Sequence, residues 1–585
     1  MEKERTVGST KSINRKALLA GALALAMSCG ALAGCSSDDA GTSTTVGESG
    51  AIVCESDYIG AESDEISSWL SESVYDVDAQ AAIAEDLDAQ KEGQTLADPL
   101  IVYNPFGTNS QSLYVYFNTD DAASVSYTVS VSDEEAATIE DESFTAGSIA
   151  DFTRDVDDGQ SATEHEFMLF GLIPSVENTV SITATYEDGT SESYEFACDM
   201  CDVLGNEQLQ LTQEEGTSTE ELSEGIYAVI GAEVEANLRC VYLYDNDGIL
   251  RGEIPLIRRA QRFVEYDGLL YYSDTDTNIV AMNELGQIVK NYAINEDGDY
   301  TLHHDYIISD DGEHLLVLGT DKDSDTIEDL VFSYDMETGE LESVLDMGDL
   351  MGSYKEEALE YHHANVSEEE DEEANYEGET GVDWIHINSL QWMGDDSLLL
   401  SCREVSAIIK VSDIYGTPTI DYIISSEEYW EGTEYQDLVL DKVGDFLIQG
   451  GQHSIEIVDD DSLQDGQYYV TMFNNNVGVS NETTSDFDYT SIGLTNTMAS
   501  TPEDGAVSYY YKYLVDENEG TFELVESIEL PYSGYISSVQ DYGDHVITDS
   551  GTQDLIGEYD ADGELICNFS MDIEDIIYRV TKFDW

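Results

Sequence analysis

The sequence predicts an all-β protein, a six-bladed β-propeller preceded by a small β-sandwich domain. Three observations carry this. A hairpin pattern (strand, Asp or Asn, glycine turn, strand) recurs six times past residue 215. It reads "VYLYDNDGILRGEI" (241–254), "IVAMNELGQIVKNY" (279–292) and "LVFSYDMETGELESVL" (330–345), then "IIKVSDIYGTPTIDYI" (408–423), "KYLVDENEGTFELVESI" (512–528) and "IGEYDADGELICNF" (556–569). A second hairpin precedes most of them, as in "HDYIISDDGEHLLVLG" and "HINSLQWMGDDSLLLS". Four strands repeated six times are the signature of a propeller. Long amphipathic helices are absent between the strands, which disfavours a parallel sheet.

The elements follow in order. Residues 1–34 read as a signal peptide: Lys3, Arg5, Lys11, Arg15 and Lys16 form a basic region, and "ALLAGALALAMSCGALAG" is apolar with small residues before Cys35. This resembles a bacterial lipobox and implies lipidation at Cys35, hence an exported protein tethered to a membrane. No other apolar run is long enough to span a bilayer. Residues 35–96 read as a tether followed by a short acidic helical segment, because "SDEISSWLSESVYDVDAQAAIAEDLDAQKE" (63–92) has few turn residues. Residues 97–205 alternate in short strands broken by turn signals, the pattern of a β-sandwich. Within them, "GLIPSVENTVSITATY" resembles a fibronectin type III-like strand-turn-strand. Residues 215–585 hold the propeller.

The chain carries 125 acidic and 21 basic residues, a formal net charge of −104. Such a field repels nucleic acid and anionic lipid and makes each internal arginine conspicuous. "SEEEDEEANYEGE" (367–379) reads as a solvated acidic loop, since it lacks the spacing of a calcium loop. "CDMC" (198–201) reads as a disulfide or as free thiols, and no second such pair supports zinc.

Aligned on their turn glycines, two inner hairpins put a histidine at one position. His304 lies eight residues before Gly312, and His386 eight before Gly394. His453, in "GGQHSIEIV", opens its own inner strand. His386 and Asn388 are spaced to share one face of a strand, and Arg403 falls on the strand that returns beside it. In a propeller these inner positions converge on the central channel. A planar arginine among imidazoles suits an anion whose oxygens form a fork, such as sulfate or phosphate. A neutral imidazole can attack phosphorus or sulfur, and a second can move the proton. Three histidines could also hold zinc, but Arg403 opposes a cation, so no metal is expected, and no cofactor is called. His362, His363 and His545 read as surface residues, Arg258, Arg259 and Arg262 as a basic structural linker, and Tyr509, Tyr510 and Tyr511 as either ring-stacking or edge-strand tyrosines.

At these residues the chain resembles the bacterial arylsulfate sulfotransferases. "DPLIVYNPFGTNSQSLYVYF" is similar to the start of that family's N-terminal β-domain. "HHDY", "DWIHINS", "SCREVSAIIKV", "GGQHS" and "MFNNN" are similar to its successive propeller motifs, in order. The resemblance implies transfer of a sulfuryl group from a phenolic sulfate ester to a phenolic acceptor, by a ping-pong route through a sulfated histidine, with no nucleotide donor. It implies His453 as nucleophile, His386, Asn388, Arg403 and His304 as sulfuryl-binding residues, and His304 or His386 in proton transfer. Spacing favours His304 over His303. "FNNN" (473–476) departs from the Asp and Gly common in the family, and residues 477–505 do not align, so the acceptor side stays open. The rival readings are an aryl sulfate hydrolase, whose Cys-x-Pro-x-Arg signature is missing, and a non-catalytic propeller binding an anionic ligand or partner. The sequence leaves a homodimer open.

Overall fold

In the computed structural model, residues 42–584 are described apart from 47–50, 62, 140–143, 145–146, 148, 157–158, 206–207, 232–238, 296–297, 366–380, 459, 461, 479–486, 496–497, 503–504 and 574–575. The signal segment, Cys35 and the acidic run 367–379 lie outside the described residues.

Six antiparallel sheets form the blades, each strand pairing with the next in sequence. The turn chemistry expected from sequence builds the outer hairpins of blades 1, 2, 3, 5 and 6, while in blade 4 Asp413 (φ 57°) rather than Gly416 is left-handed. In blade 1, Asp245 Oδ1 accepts from the backbone N–H groups of Asp247 and Ile249 at 2.9 Å, and Gly248 takes φ 69°. Blade 2 repeats this with Asn283 and Gly286, and blade 6 with Asp560 and Gly563. A short acidic or amide side chain caps the turn, and glycine supplies the left-handed residue at no steric cost.

Two strands close the ring. Arg579–Phe583 pairs with Ile226–Ile230 as the innermost strand of blade 1, which otherwise comes from residues 226–256. Thr212–Glu215 pairs with Leu565–Ser570 as a fifth, outer strand of blade 6. Blade 5 gains its own fifth strand, Asp441–Val443, parallel to Thr521–Leu530.

The N-terminal domain is an eight-stranded sheet built around the long strand Ser112–Ser130. Residues 42–56 correct the reading of 35–96 as tether and helix alone. Thr42–Val46 and Ile52–Ser56 form a hairpin, and the second strand pairs in parallel with Ser191–Asp199. "TSTTV" is too polar to announce a strand by hydropathy, but its β-branched residues suit an edge. The hairpin sets Cys54 Sγ 3.5 Å from Cys198 Sγ, so Cys198 faces Cys54, while Cys201 meets the Tyr103 hydroxyl at 2.9 Å. The acidic segment forms helices Ser63–Trp69 and Val77–Asp88. Buried Gln80 on the second docks the domain on blade 2: its amide donates to the Phe106 carbonyl at 2.9 Å and accepts from Ile288 N–H at 3.1 Å. Among the described residues no helix is long and apolar enough to cross a membrane.

Arg262, in the basic linker, pairs with Asp305 at 3.2 Å and Glu456 at 3.1 Å. Two further readings are corrected. His545 is largely buried and donates from Nδ1 to Glu558 at 2.6 Å. Tyr509, Tyr510 and Tyr511 lie in the third strand of blade 5, Ser508–Asp516, where Tyr510 donates to Asp541 at 2.7 Å.

Candidate active site

Blades 3 to 6 each break their regular backbone at or within the innermost strand. His304 (φ 55°), His386 (φ 52°), Ser454 (φ 53°), and Ile536 and Ser537 (φ 55° and 88°) are all left-handed, a conformation costly for side chains with a Cβ and rare for a β-branched residue. The pairing register shifts alongside, between Leu302 and Tyr306, Ile387 and Ser389, and His453 and Glu456. These bulges re-aim the side chains at the channel. His386 and Asn388 therefore do not share a face by simple alternation. His386 precedes strand Ile387–Gly394, and Arg403 follows strand Ser397–Cys402, its N–H donating to the His386 carbonyl at 3.0 Å.

Around His386 the charges are dense. Its Nδ1 lies 2.7 Å from Asp383 Oδ2 and also contacts Glu328. Arg403 approaches its other nitrogen, Nη1 to Nε2 at 2.8 Å, donates from Nη2 to Asp383 at 2.9 Å, and from Nε to Glu404 at 2.8 Å. That contact needs a lone pair on Nε2, hence a neutral ring with its proton on Nδ1. Burial and Arg403 favour that form. Asp383 and Glu328 outweigh both and carry the His386 pKa up to about 9. Protonated, Nε2–H is a donor, and the guanidinium must turn away from it. Glu328 is pushed up by burial, but His386, His303 and Arg403 prevail and bring it down to about 2.

His304 stacks edge-on against His386, ring centroids 4.7 Å apart. Its Nδ1 shares a proton with His303 Nδ1 at 2.9 Å. Burial first, then the charges of His386, His303, Arg259 and Arg403, hold His304 well below the usual imidazole range. His303 is 1% exposed and lies behind it, so His304 is the ring facing the channel.

His453 enters on "GGQHS". A Cβ at Gly450 would meet Val477 O at 2.7 Å, and Gly451 needs φ 60°, so only this pair lets the chain pass beneath residues 477–478. The "FNNN" stretch holds the turn. Asn474 Oδ1 accepts from Gly450 N–H at 2.9 Å, and Asn475 Oδ1 meets His453 Nδ1 at 2.8 Å. The amide of Asn475 donates to the carbonyls of Ser533 and Ile536 at 2.9 and 3.0 Å. Two carbonyl acceptors fix which end of the amide is nitrogen. Its oxygen therefore faces Nδ1, which must carry the proton. Nε2 keeps its lone pair and accepts a long bond, 3.2 Å, from the N–H of Ile536. Burial, then Arg403 and His386, push the His453 pKa down to about 3. Asn388 donates to the Gln452 carbonyl at 2.8 Å and so anchors the residue before His453.

The donor atoms of His304, Glu328 and His386 fall within 4.8 Å of one another, near enough for a cation. Arg403 already stands against His386 and Asp383, and its fixed positive charge opposes one. The set instead places imidazoles beside a fixed guanidinium.

Residues 211–579 match the family model of the arylsulfotransferases, and residues 100–200 match that of the arylsulfotransferase Ig-like domain. The chain belongs to the arylsulfotransferase family. The expected resemblance, the propeller and the Ig-like N-terminal domain of this arylsulfotransferase are thus borne out, and the protein is an aryl sulfotransferase enzyme. No curated protein matches the chain. Solved structures similar to it include virginiamycin B lyase from Staphylococcus aureus (11% identity, 62% of this chain and 99% of that one, TM-score 0.27). AztD of Citrobacter koseri is another (11%, 79% and 99%, TM-score 0.26). Both are too distant to carry an argument.

Sequence reasoning brings together His304, His386, Arg403 and, through Gln452, Asn388 and His453. It missed Glu328, which nothing in "TIEDL" marks, and Glu404, signalled only by adjacency to Arg403. It also missed the role of Asn475, although the motif holding it was singled out.

Proposed function

We propose that this arylsulfotransferase moves a sulfuryl group from a phenolic sulfate ester to a phenolic acceptor in two half-reactions through sulfated His453. The observation that carries this is the single tautomer of His453, neutral, with its lone pair on Nε2 inside the field of Arg403. In the first half-reaction Nε2 attacks sulfur, the S–O bond to the aryl oxygen breaks, and His386 gives its proton to the departing phenolate. Arg403 and His304 hold the sulfuryl oxygens, where charge stabilisation and placement supply most of the catalysis. Nδ1–H stays on Asn475, whose carbonyl oxygen offsets the positive charge that the sulfated ring acquires. In the second half-reaction the acceptor phenol returns a proton to His386, its oxygen attacks sulfur, and the N–S bond breaks. Phenolic partners suit this, because a phenol of pKa about 10 leaves far more readily than an alkanol.

The proposal includes export and a lipid tether at Cys35, supported by the basic and apolar leader. A Cys35→Ser chain that stays with the membrane fraction would argue against the tether.

The deciding experiment gives the protein a chromogenic aryl sulfate with and without added phenol. Phenol-dependent release supports transfer. Release without acceptor points to hydrolysis, and no turnover with any phenol points to a binding module. Mass spectrometry after donor alone should find one sulfuryl group on the peptide holding His453.

A further inference from the structure

The N-terminal domain holds a thiol pair that the transfer reaction does not use. Cys54 and Cys198 are 2% and 0% exposed. Their sulfurs stand 3.5 Å apart, although 144 positions separate them in sequence. The backbone excludes the local pair that "CDMC" offers. Past strand Ser191–Asp199 the chain continues the same ladder, with Met200 N–H on the Val176 carbonyl at 3.1 Å and Ser175 N–H on the Cys201 carbonyl at 3.0 Å. Three extended steps of ~3.3 Å put the Cα atoms of Cys198 and Cys201 about 10 Å apart. A disulfide spans no more than ~7 Å between Cα atoms. Cys201 turns instead to the Tyr103 hydroxyl.

The seam that carries the pair is short. Strand Ile52–Ser56 meets Ser191–Asp199 at two positions, Ile52↔Cys198 and Val53↔Asp199. Tyr103 N–H adds a bond to Thr44 Oγ1 at 2.9 Å. Cys54 lies one residue past the paired positions. A small shift of the outer hairpin therefore closes the ~1.5 Å that remains to S–S bond length and leaves the inner strands in place.

We propose that Cys54 and Cys198 are joined by a disulfide, a covalent staple between the hairpin 42–56 and the body of the N-terminal domain, with Cys201 left as a thiol. The oxidant is a second disulfide, such as oxidised glutathione. The Cys54 thiolate attacks one of its sulfurs, that S–S bond breaks, and one glutathione thiol leaves. The Cys198 thiolate then attacks Cys54 Sγ and releases the second, so two electrons and two protons pass to the glutathione pair. The contact with Cys198, then burial, hold the seated Cys54 thiol well above its usual range. The exchange therefore runs while the hairpin is open, and the closed bond is shielded from reductant.

The test incubates the purified full chain with reduced and oxidised glutathione, long enough for the hairpin to open and close. Remaining thiols are blocked with iodoacetamide, and the digest is mapped by mass spectrometry without reduction. The peptides holding Cys54 and Cys198 should appear linked and two hydrogens lighter than their sum, with Cys201 alkylated. Compared with the chain kept in dithiothreitol, the linked form should melt ~5 °C or more higher and resist protease cleavage within 42–56. Cys54→Ala should abolish the difference between the two conditions, and Cys201→Ala should leave it. Alkylated Cys54 and Cys198, or a link from either one to Cys201, overturns the disulfide. A linked form that melts and digests like the dithiol overturns the staple.

Discussion

Two buried charge clusters lie in different blades of the propeller, and they are built on opposite plans. In blades 1 and 6, Lys582 and Glu558 are fully buried. Lys582 Nζ donates among Glu558, the Ser223 carbonyl, Asn246 and the Tyr227 hydroxyl at 2.7 to 3.0 Å. Glu558 accepts in turn from Ser223, Tyr227 and His545. Burial pushes Lys582 down to about 8 against the pull of Glu558. Both residues sit within strands and neither is left-handed, although a bulge follows Glu558. In blades 3 to 5 the histidines stand on left-handed residues and bulges. Charges there compete for the same partners, and one oxygen of Asp383 has none among the described residues. A saturated network holds the ring together. An unsaturated one has capacity left for a ligand.

The comparison breaks first at His453. His453→Ala should lose at least ~1000-fold in phenol-dependent release, as removal of a covalent nucleophile does, with an unchanged melting curve. Near-normal turnover would remove it as nucleophile. Arg403→Lys keeps the charge but loses the fork, and should cost ~100-fold in kcat; a loss confined to KM would assign Arg403 to ground-state binding only. Lys582→Met should show the reverse pattern. It strands Glu558 without its cation and should cost ~3–5 kcal/mol of stability, read by denaturant unfolding, while the folded fraction keeps its turnover.

Two smaller effects appear in the pH profile. His386 has its pKa raised to about 9, so its proton is fully held below the ordinary imidazole value and is lost as pH rises through about 9. Steady-state rates should therefore fall on the alkaline side near there, and Asp383→Asn should move that limb to lower pH. Asn475→Asp should act on the other side. A carboxylate against Nδ1–H raises the His453 pKa from about 3, and an acid limb should enter the measurable range. Asn475→Ala giving the same limb would show that charge is not the cause.

The blades were legible because their turns are written locally: an Asp or Asn is followed by a glycine three or four residues on in each outer hairpin. His304 and His386 were legible because the inner-hairpin glycines Gly312 and Gly394 each count back eight residues to them. The bulges were not, since a left-handed His386 or Ile536 is imposed by neighbouring blades and leaves no mark on composition. Glu328 was hidden for the same reason; it reaches His386 because residues 325–328 run beside 382–387, where Ile387 N–H donates to the Glu328 carbonyl at 2.9 Å. Asn475 was half visible: "FNNN" stood out, but which amide meets His453 depends on the carbonyls of Ser533 and Ile536. The hairpin at 42–56 was missed because polar β-branched residues at a sheet edge look like linker.

The closing strand Arg579–Phe583 has a consequence in time. Tyr578, just before it, bonds the His304 backbone, and Arg579 lies 3.6 Å from Asp305, the residue after His304. A chain emerging from the ribosome makes His304, His386 and His453 well before it makes that strand. The histidine cluster thus exists for much of synthesis without the clasp that seats it. Turnover should switch on only when the ring shuts, so an unfinished chain carries the cluster but stays silent.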